Sequence, residues 1–143
     1  MKRDSNRVDM KSSIVIAESL ETTRSALKLL MENRLDIQIT AEVGDMQTLL
    51  QILPTVQPTL LIVDWQLPGL CKGCGIETLR AQCSHMKIVV MSVQPEAHAL
   101  AISAGADAFF TKTEPAERIL EFVQNLLPSY EAKNATWENT DPD

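Results

Sequence analysis

Polar residues stand directly behind four short apolar runs of this sequence. Glu18 and Ser19 follow the first run, Asp64 follows a later one, and Ser92 and Lys112 follow the last two. If the runs are parallel strands of one sheet, these side chains meet at the edge where open α/β sheets carry their functional sites. For each residue alone, the simpler explanation is that polar residues begin where a buried strand stops.

Asp64 is the strongest candidate in this set. It follows the run 60–63, the most apolar in the sequence, so its carboxylate is expected to lose contact with water. Burial disfavours the charged form of a carboxyl group unless an opposite charge compensates it. Lys112 is the obvious compensating charge.

The elements that would position these residues alternate between two hydrophobic periods. Short apolar or alternating runs predict strands at 14–17, 37–43, 60–63, 87–91 and 108–110. Stripes with helical spacing predict helices between these runs and after the last one. We expect 37–43 to be an edge strand, Asp45 to cap the second helix, Pro54 to end that helix and Pro128 to end the last one.

Strands that alternate with helices predict an α/β fold. Joined by right-handed crossovers, they would form a (βα)5 flavodoxin-like, doubly wound sandwich with a central five-stranded parallel sheet. The folded unit is expected to span residues 13–127. Residues 1–12 and the acidic residues 128–143 are polar and aperiodic, and we expect them to be flexible flanks.

The composition excludes several classes of protein. The net charge of −6 over 143 residues argues against direct nucleic-acid binding, which needs clustered basic side chains. No apolar stretch approaches the length of a membrane span, and no secretory signal is visible. Three cysteines do not make a disulfide framework, so a reducing cytoplasm is the expected location.

Four segments of the chain resemble the receiver domain of bacterial two-component response regulators, in the branch that often carries a helix-turn-helix output domain. The matching segments are 14–19 (IVIAES), 60–69 (LLIVDWQLPG), 89–92 (VVMS) and 105–112 (GADAFFTK). Each segment alone is a weak signal, but their order and spacing are those of the family. The likeness covers about residues 13–127.

The resemblance implies a signalling switch rather than an enzyme. Asp64 would accept a phosphoryl group from a histidine kinase or phosphotransfer protein. Mg2+ would be held by Asp64, by an acidic residue after the first strand (Glu18 or the position of Ser19) and by the backbone carbonyl of Gln66. This cation would neutralise charge during the transfer.

Three further roles follow from the same resemblance. Lys112 would pair with a phosphoryl oxygen. Ser92 would bond to the phosphoryl group and swing inward when it arrives. Phe109 would be the aromatic side chain that reports this change at the surface of the fifth strand and its flanking helices.

One departure from the family pattern puts this chemistry in question. Receivers usually carry two adjacent acids after the first strand, but here the pair is Glu18-Ser19. Because Mg2+ prefers anionic oxygens, we expect it to bind more weakly than in a standard receiver. The alternative function is a pseudo-receiver, an interaction module that has lost Mg2+ binding or phosphorylation.

A second departure is a loop about three residues longer than usual, which contains Cys71 and Cys74 as C-x-x-C. It could be a flexible insert with reduced thiols, with Cys83 packed in the core. It could be a redox pair at a helix start, where thiol pKa values fall. A zinc site that adds Cys83 and His85 is the third alternative, although this spacing is not a familiar one.

Other questions stay open in the sequence. A thiol redox enzyme or FMN carrier on the same sheet is the alternative from another class, but C-x-x-C does not follow the first strand and no phosphate-binding loop does. Too few residues follow Pro128 for a helix-turn-helix, which leaves a stand-alone receiver or part of a longer regulator. A homodimer through the acidic face formed by Glu114, Glu117 and Glu121 is undecided, and His98 is expected to be an isolated surface residue.

Overall fold

Five strands and five helices alternate along residues 13–127, the part of the chain described by the structure, a computed structural model. The strands are β1 Ser13–Ala17, β2 Gln38–Val43, β3 Leu60–Asp64, β4 Lys87–Ser92 and β5 Ala108–Thr111. The helices are α1 Glu21–Arg34, α2 Met46–Val56, α3 Gly75–Gln82, α4 Ala97–Ser103 and α5 Ala116–Asn125. The predicted alternation is confirmed, and no helix within the described range is long and apolar enough to cross a membrane.

The strands form one parallel sheet in the order β2-β1-β3-β4-β5. The (βα)5 fold is therefore confirmed, and β2 lies at an edge as predicted. From β1 the chain first adds β2 on one side and then adds β3, β4 and β5 on the other. The strand order therefore reverses between β1 and β3, which is where open α/β sheets place their sites. Asp64 pairs with Met91 and Ser92 pairs with Thr111, so the carboxyl ends of β3, β4 and β5 lie level with one another.

Alternating side chains of each strand supply two separate cores. On one face, helices α2, α3 and α4 cover a core that includes Val15, Leu61, Val63, Ile88 and Val90. On the other face, helices α1 and α5 cover a core that includes Ile14, Ile16, Ile62, Val89 and Phe110. Burial on both faces explains why the central strands are almost continuously apolar in the sequence.

Helix α2 begins as predicted and ends later than predicted. The Asp45 carboxylate accepts a hydrogen bond from the Thr48 N–H at 2.7 Å, which caps the helix. The expectation that Pro54 ends the helix is wrong, because the helix continues to Val56 with Pro54 inside it. Pro54 removes only its own N–H in the last turn. The helix stops after Val56 because Gln57 adopts a left-handed backbone (φ 45°), and the Gln57 N–H donates to the carbonyl of Leu53.

The last two helices are short. Helix α4 begins at Ala97 and ends at Ser103, and Gly105 follows it with φ 113°, a conformation that favours glycine. Helix α5 ends at Asn125. Pro128 and the flanks 1–12 and 128–143 lie outside the described residues.

Candidate functional site

Asp64 ends the central strand β3, and its residue is only 4% exposed. One carboxylate oxygen, Oδ1, accepts a hydrogen bond from the backbone N–H of Gln66 at 2.9 Å. The other, Oδ2, accepts one from the Nζ atom of Lys112 at 3.0 Å. The buried carboxylate is thus compensated by the ammonium that the sequence had suggested, and both of its oxygens have defined partners.

Lys112 follows β5 and is positioned by its own backbone. Its N–H donates to the carbonyl of Ser92 at 2.8 Å, which extends the pairing of β5 with β4 by one residue and aims the side chain across the rim. The Nζ atom then contacts two carboxylates, lying 2.7 Å from Oε1 of Glu18 and 3.0 Å from Oδ2 of Asp64. Burial acts to lower the pKa of Lys112, but its contacts with the carboxylates of Glu18 and Asp64 outweigh this effect and raise the pKa.

Glu18 is a fully buried carboxylate at the end of β1. Its Oε2 atom accepts a hydrogen bond from the Leu20 N–H at 2.9 Å, which turns the side chain back over the start of α1. Its Oε1 atom has the ion-pair contact with Lys112 but accepts no hydrogen bond within residues 13–127. Such an oxygen, buried and incompletely coordinated, has capacity for a further ligand.

The main chain of Glu18 is also fixed in place. Its N–H donates to the carbonyl of Val43 at 3.0 Å, and its carbonyl accepts from Nη1 of Arg24 at 2.6 Å. Arg24 lies in α1, and its Nε atom is 3.6 Å from a carboxylate oxygen of Glu42 on β2. Sequence reasoning missed Arg24, because an arginine on a helix gives no signal of the backbone carbonyl it contacts.

The donor set at this rim fits Mg2+ in kind, with one anionic ligand fewer than the family pattern. Carboxylates of Glu18 and Asp64 converge on one point, as their shared contact with Lys112 shows. Hard oxygen ligands of this type suit Mg2+. Ser19 is exposed and neutral, and Gln66 has an exposed side chain while its N–H is bonded to Asp64.

Ser92 ends β4 beside Asp64 and is fully buried. Its Oγ atom accepts a hydrogen bond from the Gln94 N–H at 3.0 Å. This bond orients the hydroxyl oxygen toward the loop after β4. The hydroxyl proton remains available for a neighbouring acceptor, since the oxygen serves here as the acceptor.

Phe109 is a buried residue of β5. It is 6% exposed and belongs to the core beneath α2, α3 and α4, because its side chain points to that face of β5 while Phe110 points to the other. Its ring stacks on His98 of α4, with centroids 4.9 Å apart and planes 12° apart. His98 is therefore exposed but not isolated, and no local pattern in the sequence indicates this long-range contact.

The loop before α3 holds Cys71 and Cys74 as exposed thiols, whereas Cys83 is buried. Lys72 lies between the two exposed cysteines, with Nζ 3.4 Å from the side-chain oxygen of Gln66 and 5.8 Å from the centre of the Trp65 ring. The loop therefore borders the rim that carries Asp64.

The zinc alternative has no support in the described range. There, no group of three or more His, Cys, Asp or Glu side chains is arranged to hold a metal ion. Cys83 instead donates to the side-chain oxygen of Gln57 at 3.3 Å.

Comparison with known proteins gives one family. The profile of the response regulator receiver domain matches residues 14–124. The Fimbriae Z protein of Salmonella typhimurium is 26% identical over 121 residues, which cover 83% of this chain and 58% of that protein. Chemotaxis protein CheY of Pseudomonas aeruginosa is 26% identical over 121 residues, which cover 80% of this chain and 94% of that protein.

Solved structures show the same fold. A LuxR-family DNA-binding response regulator from Staphylococcus aureus superposes with a TM-score of 0.72 at 20% identity, covering 80% of this chain and 98% of that one. A LuxR-family two-component response regulator from Aurantimonas superposes with a TM-score of 0.73 at 21% identity, covering 82% of this chain and 86% of that one. This chain spans less than two thirds of the length of the Fimbriae Z protein, so its likeness to that protein concerns one part of it.

Proposed function

This chain belongs to the response regulator receiver domain family of two-component systems, and we propose that it accepts a phosphoryl group on Asp64. The observation that carries the proposal is the double contact of Lys112. One ammonium contacts the buried carboxylates of both Asp64 and Glu18 at the carboxyl end of a parallel sheet. Stability alone does not explain this buried ion pair, because apolar side chains at the same positions often stabilise a fold equally well.

The chemistry is a transfer between two nucleophiles. A carboxylate oxygen of Asp64 forms a bond to phosphorus as the bond from phosphorus to a histidine nitrogen of the donor breaks, and the imidazole leaves with the electron pair. Such transfers depend on positioning and on neutralisation of the oxygens around phosphorus. The N–H of Gln66 holds one oxygen of Asp64 at 2.9 Å, which orients the carboxylate for attack by the other.

Lys112 has two successive partners in this scheme. Before transfer it pairs with Glu18 and Asp64. After transfer an oxygen of the phosphoryl group replaces the lost carboxylate charge on Asp64, and the raised pKa keeps Lys112 protonated for that contact. The partner supplying the phosphoryl group would be a histidine kinase or a phosphotransfer protein in the cytoplasm, and this chain would act as a signal transducer rather than an enzyme.

Glu18, Asp64 and the backbone carbonyl of Gln66 are the groups that would hold Mg2+. When bound, the cation would supply positive charge next to the phosphoryl oxygens. Because Ser19 is neutral where the family has an acid, we propose weak binding. The affinity is measured by Trp65 fluorescence in a chain whose single change is Trp137→Phe. A dissociation constant in the sub-millimolar range would contradict weak binding.

Ser92 and Phe109 would carry the signal away from the site. The buried hydroxyl of Ser92 can exchange its bond with the Gln94 N–H for one with a phosphoryl oxygen. This exchange would pull the loop after β4 toward the site and change the packing of α4, whose His98 stacks on Phe109. The face formed by α4 and β5 would then present a different surface to a partner or to a second copy of the chain.

A second candidate function, the pseudo-receiver, is favoured by the exposed, neutral Ser19. With only two acids, already paired with Lys112, the rim could hold its shape without a cation. The same fold would then act as an interaction module with one conformation.

Incubation with acetyl phosphate and Mg2+, followed by intact mass measurement, separates the two functions. We expect the unchanged chain to gain one phosphoryl group and Asp64→Ala to gain none. Glu77→Ala, which removes an exposed acid on α3, is the control and should gain one as well. No gain by the unchanged chain at high Mg2+ would reject the phosphoacceptor function and favour the pseudo-receiver.

A further inference from the structure

The loop between β3 and α3 brings two cysteines together in one turn. The backbone N–H groups of Cys74 and Gly75 both donate to the carbonyl of Cys71, at 3.3 and 2.6 Å. The chain therefore folds back on itself between Cys71 and Cys74, and cysteines three residues apart in such a turn lie within the separation that a disulfide accepts. Both are exposed, so a small oxidant in solution can reach them.

The turn is held on both sides, so the two cysteines stay near each other. On its N-terminal side, Gly69 has φ 89° and approaches Met46 closely, since a Cβ built there would lie 3.0 Å from the Met46 Cβ. Leu70 is buried, and a Cβ on Gly75 would clash with its Cδ1 atom. Buried contacts of this kind restrict the turn without covering its thiols.

The third cysteine is kept out of this chemistry. Cys83 is 1% exposed and donates to the side-chain oxygen of Gln57 at 3.3 Å. Burial raises the pKa of its thiol, which reduces the fraction of reactive thiolate. Cys83 thus serves as an unreactive reference within the same chain.

We propose that Cys71 and Cys74 are a peroxide-sensitive pair that closes to a disulfide within this loop and moves Lys72 relative to Trp65. The Cys71 thiolate attacks a hydroperoxide, forming a sulfenic acid as the O–O bond breaks and hydroxide or alkoxide leaves with its electron pair. The Cys74 sulfur then attacks the sulfenic sulfur, and water leaves. Two thiols are oxidised to one disulfide, and one hydroperoxide is reduced to water and an alcohol, or to two waters when it is hydrogen peroxide.

The two thiols differ in a way that assigns these roles. A hydrogen bond from the Cys74 thiol, together with the backbone N–H groups of Gly73 and Cys74, lowers the pKa of Cys71. The same thiol–thiol hydrogen bond raises the pKa of Cys74. Backbone N–H groups of the turn favour the thiolate of Cys71, and the negative charge of Glu77 disfavours that of Cys74. Because thiolate is the reactive form, we take Cys71 as the attacking group and Cys74 as the resolving one.

Lys72 connects the pair to the rim of the site. It lies between the two cysteines in sequence, contacts the side-chain oxygen of Gln66 and stands 5.8 Å from the Trp65 ring. Closing a disulfide across Lys72 changes the backbone that carries it, so its contact with Trp65 changes too. This inference does not depend on phosphorylation of Asp64, since Trp65 fluorescence reports it directly.

The test uses the full chain with Trp137→Phe, so that Trp65 is the remaining tryptophan, treated with hydrogen peroxide and then with a dithiol reductant. We expect the loss of two hydrogens by intact mass, a peptide that links Cys71 to Cys74, a free Cys83 and a change in Trp65 emission that the reductant reverses. In Cys74→Ser, which lacks the second thiol, dimedone should instead label a sulfenic acid on Cys71. Lys72→Ala should still form the disulfide, with a smaller change in Trp65 emission.

Three results would overturn the proposal. They are three free thiols after excess peroxide, a disulfide that involves Cys83 or a second chain, and a disulfide between Cys71 and Cys74 that leaves Trp65 emission unchanged. Cys71→Ser, which lacks the attacking sulfur, should form no disulfide and keep the emission of the untreated chain.

Discussion

The Nζ atom of Lys112 lies 2.7 Å from Oε1 of Glu18, a carboxylate with no exposed surface. Glu18 thus shares this ammonium with Asp64, whose Oδ2 atom lies 3.0 Å from the same nitrogen. Because the position after it is Ser19 rather than an acid, the rim carries two acids against one base. The balance of charge at this point decides both the stability of the rim and its capacity for a cation.

Loss of the ammonium should destabilise the fold. We expect Lys112→Met to lower the free energy of unfolding by about 3 kcal/mol without Mg2+, the low end of the range for breaking a buried pair, because Lys112 keeps some exposure. Urea unfolding measures this. Lys28→Met, which breaks a partly exposed pair with Glu42, is the control and should cost less than about 1 kcal/mol. Equal effects of the two substitutions would contradict the role given to Lys112.

Alkaline pH should remove the same stabilisation. The folded state raises the pKa of Lys112 above the ordinary value of 10.5, so it binds the proton more tightly than the unfolded chain does. The contribution of protonated Lys112 to the free energy of unfolding is complete below pH 10.5 and is lost as the pH rises through the pKa of Lys112 in the folded state. The difference in unfolding free energy between the unchanged chain and Lys112→Met should therefore narrow above pH 10.5. A constant difference would show that Lys112 acts by packing alone.

Much of the fold could be predicted from the sequence, because burial on both sides makes strands such as β3 and β4 visible as apolar runs. The shared rim of Glu18, Asp64, Ser92 and Lys112 followed from the same pattern. Contacts between distant elements could not be predicted. Nothing local in the sequence places His98 on Phe109.

The ends of the helices could also be predicted only in part from the sequence. Pro54 is tolerated within the last turn of α2 because the residues after it still bond to the carbonyls of that turn, and a local rule for proline does not anticipate this.

Restoring the missing acid should restore affinity for the cation. We expect Ser19→Asp to raise the affinity for Mg2+ on the order of tenfold, since a third carboxylate oxygen would face the cation. Titration of Trp65 fluorescence in the Trp137→Phe background measures the change. Ser25→Asp adds the same charge on the exposed surface of α1 and is the matched control. If both variants bind Mg2+ equally, general charge rather than direct contact explains the affinity.

The stacking of His98 on Phe109 should contribute to the packing of α4. We expect His98→Ala to lower the free energy of unfolding by about 1 kcal/mol, a common value for an aromatic pair at this distance. His98→Phe keeps a ring and should retain most of the stability. Urea unfolding measures both, and near-ultraviolet circular dichroism reports the environment of Phe109. No difference between the two variants would mean that the stack carries no energy.

The identity of the phosphorylated residue tests the central proposal most directly. The chain is treated with acetyl phosphate and Mg2+, reduced with borohydride, which converts an aspartyl phosphate to homoserine, and mapped by tandem mass spectrometry. We predict homoserine at position 64 and an unchanged residue at Asp45, a partly exposed acid that follows β2 and caps α2. Homoserine at another position, or none at saturating Mg2+, would contradict the assignment of Asp64 as the phosphoacceptor.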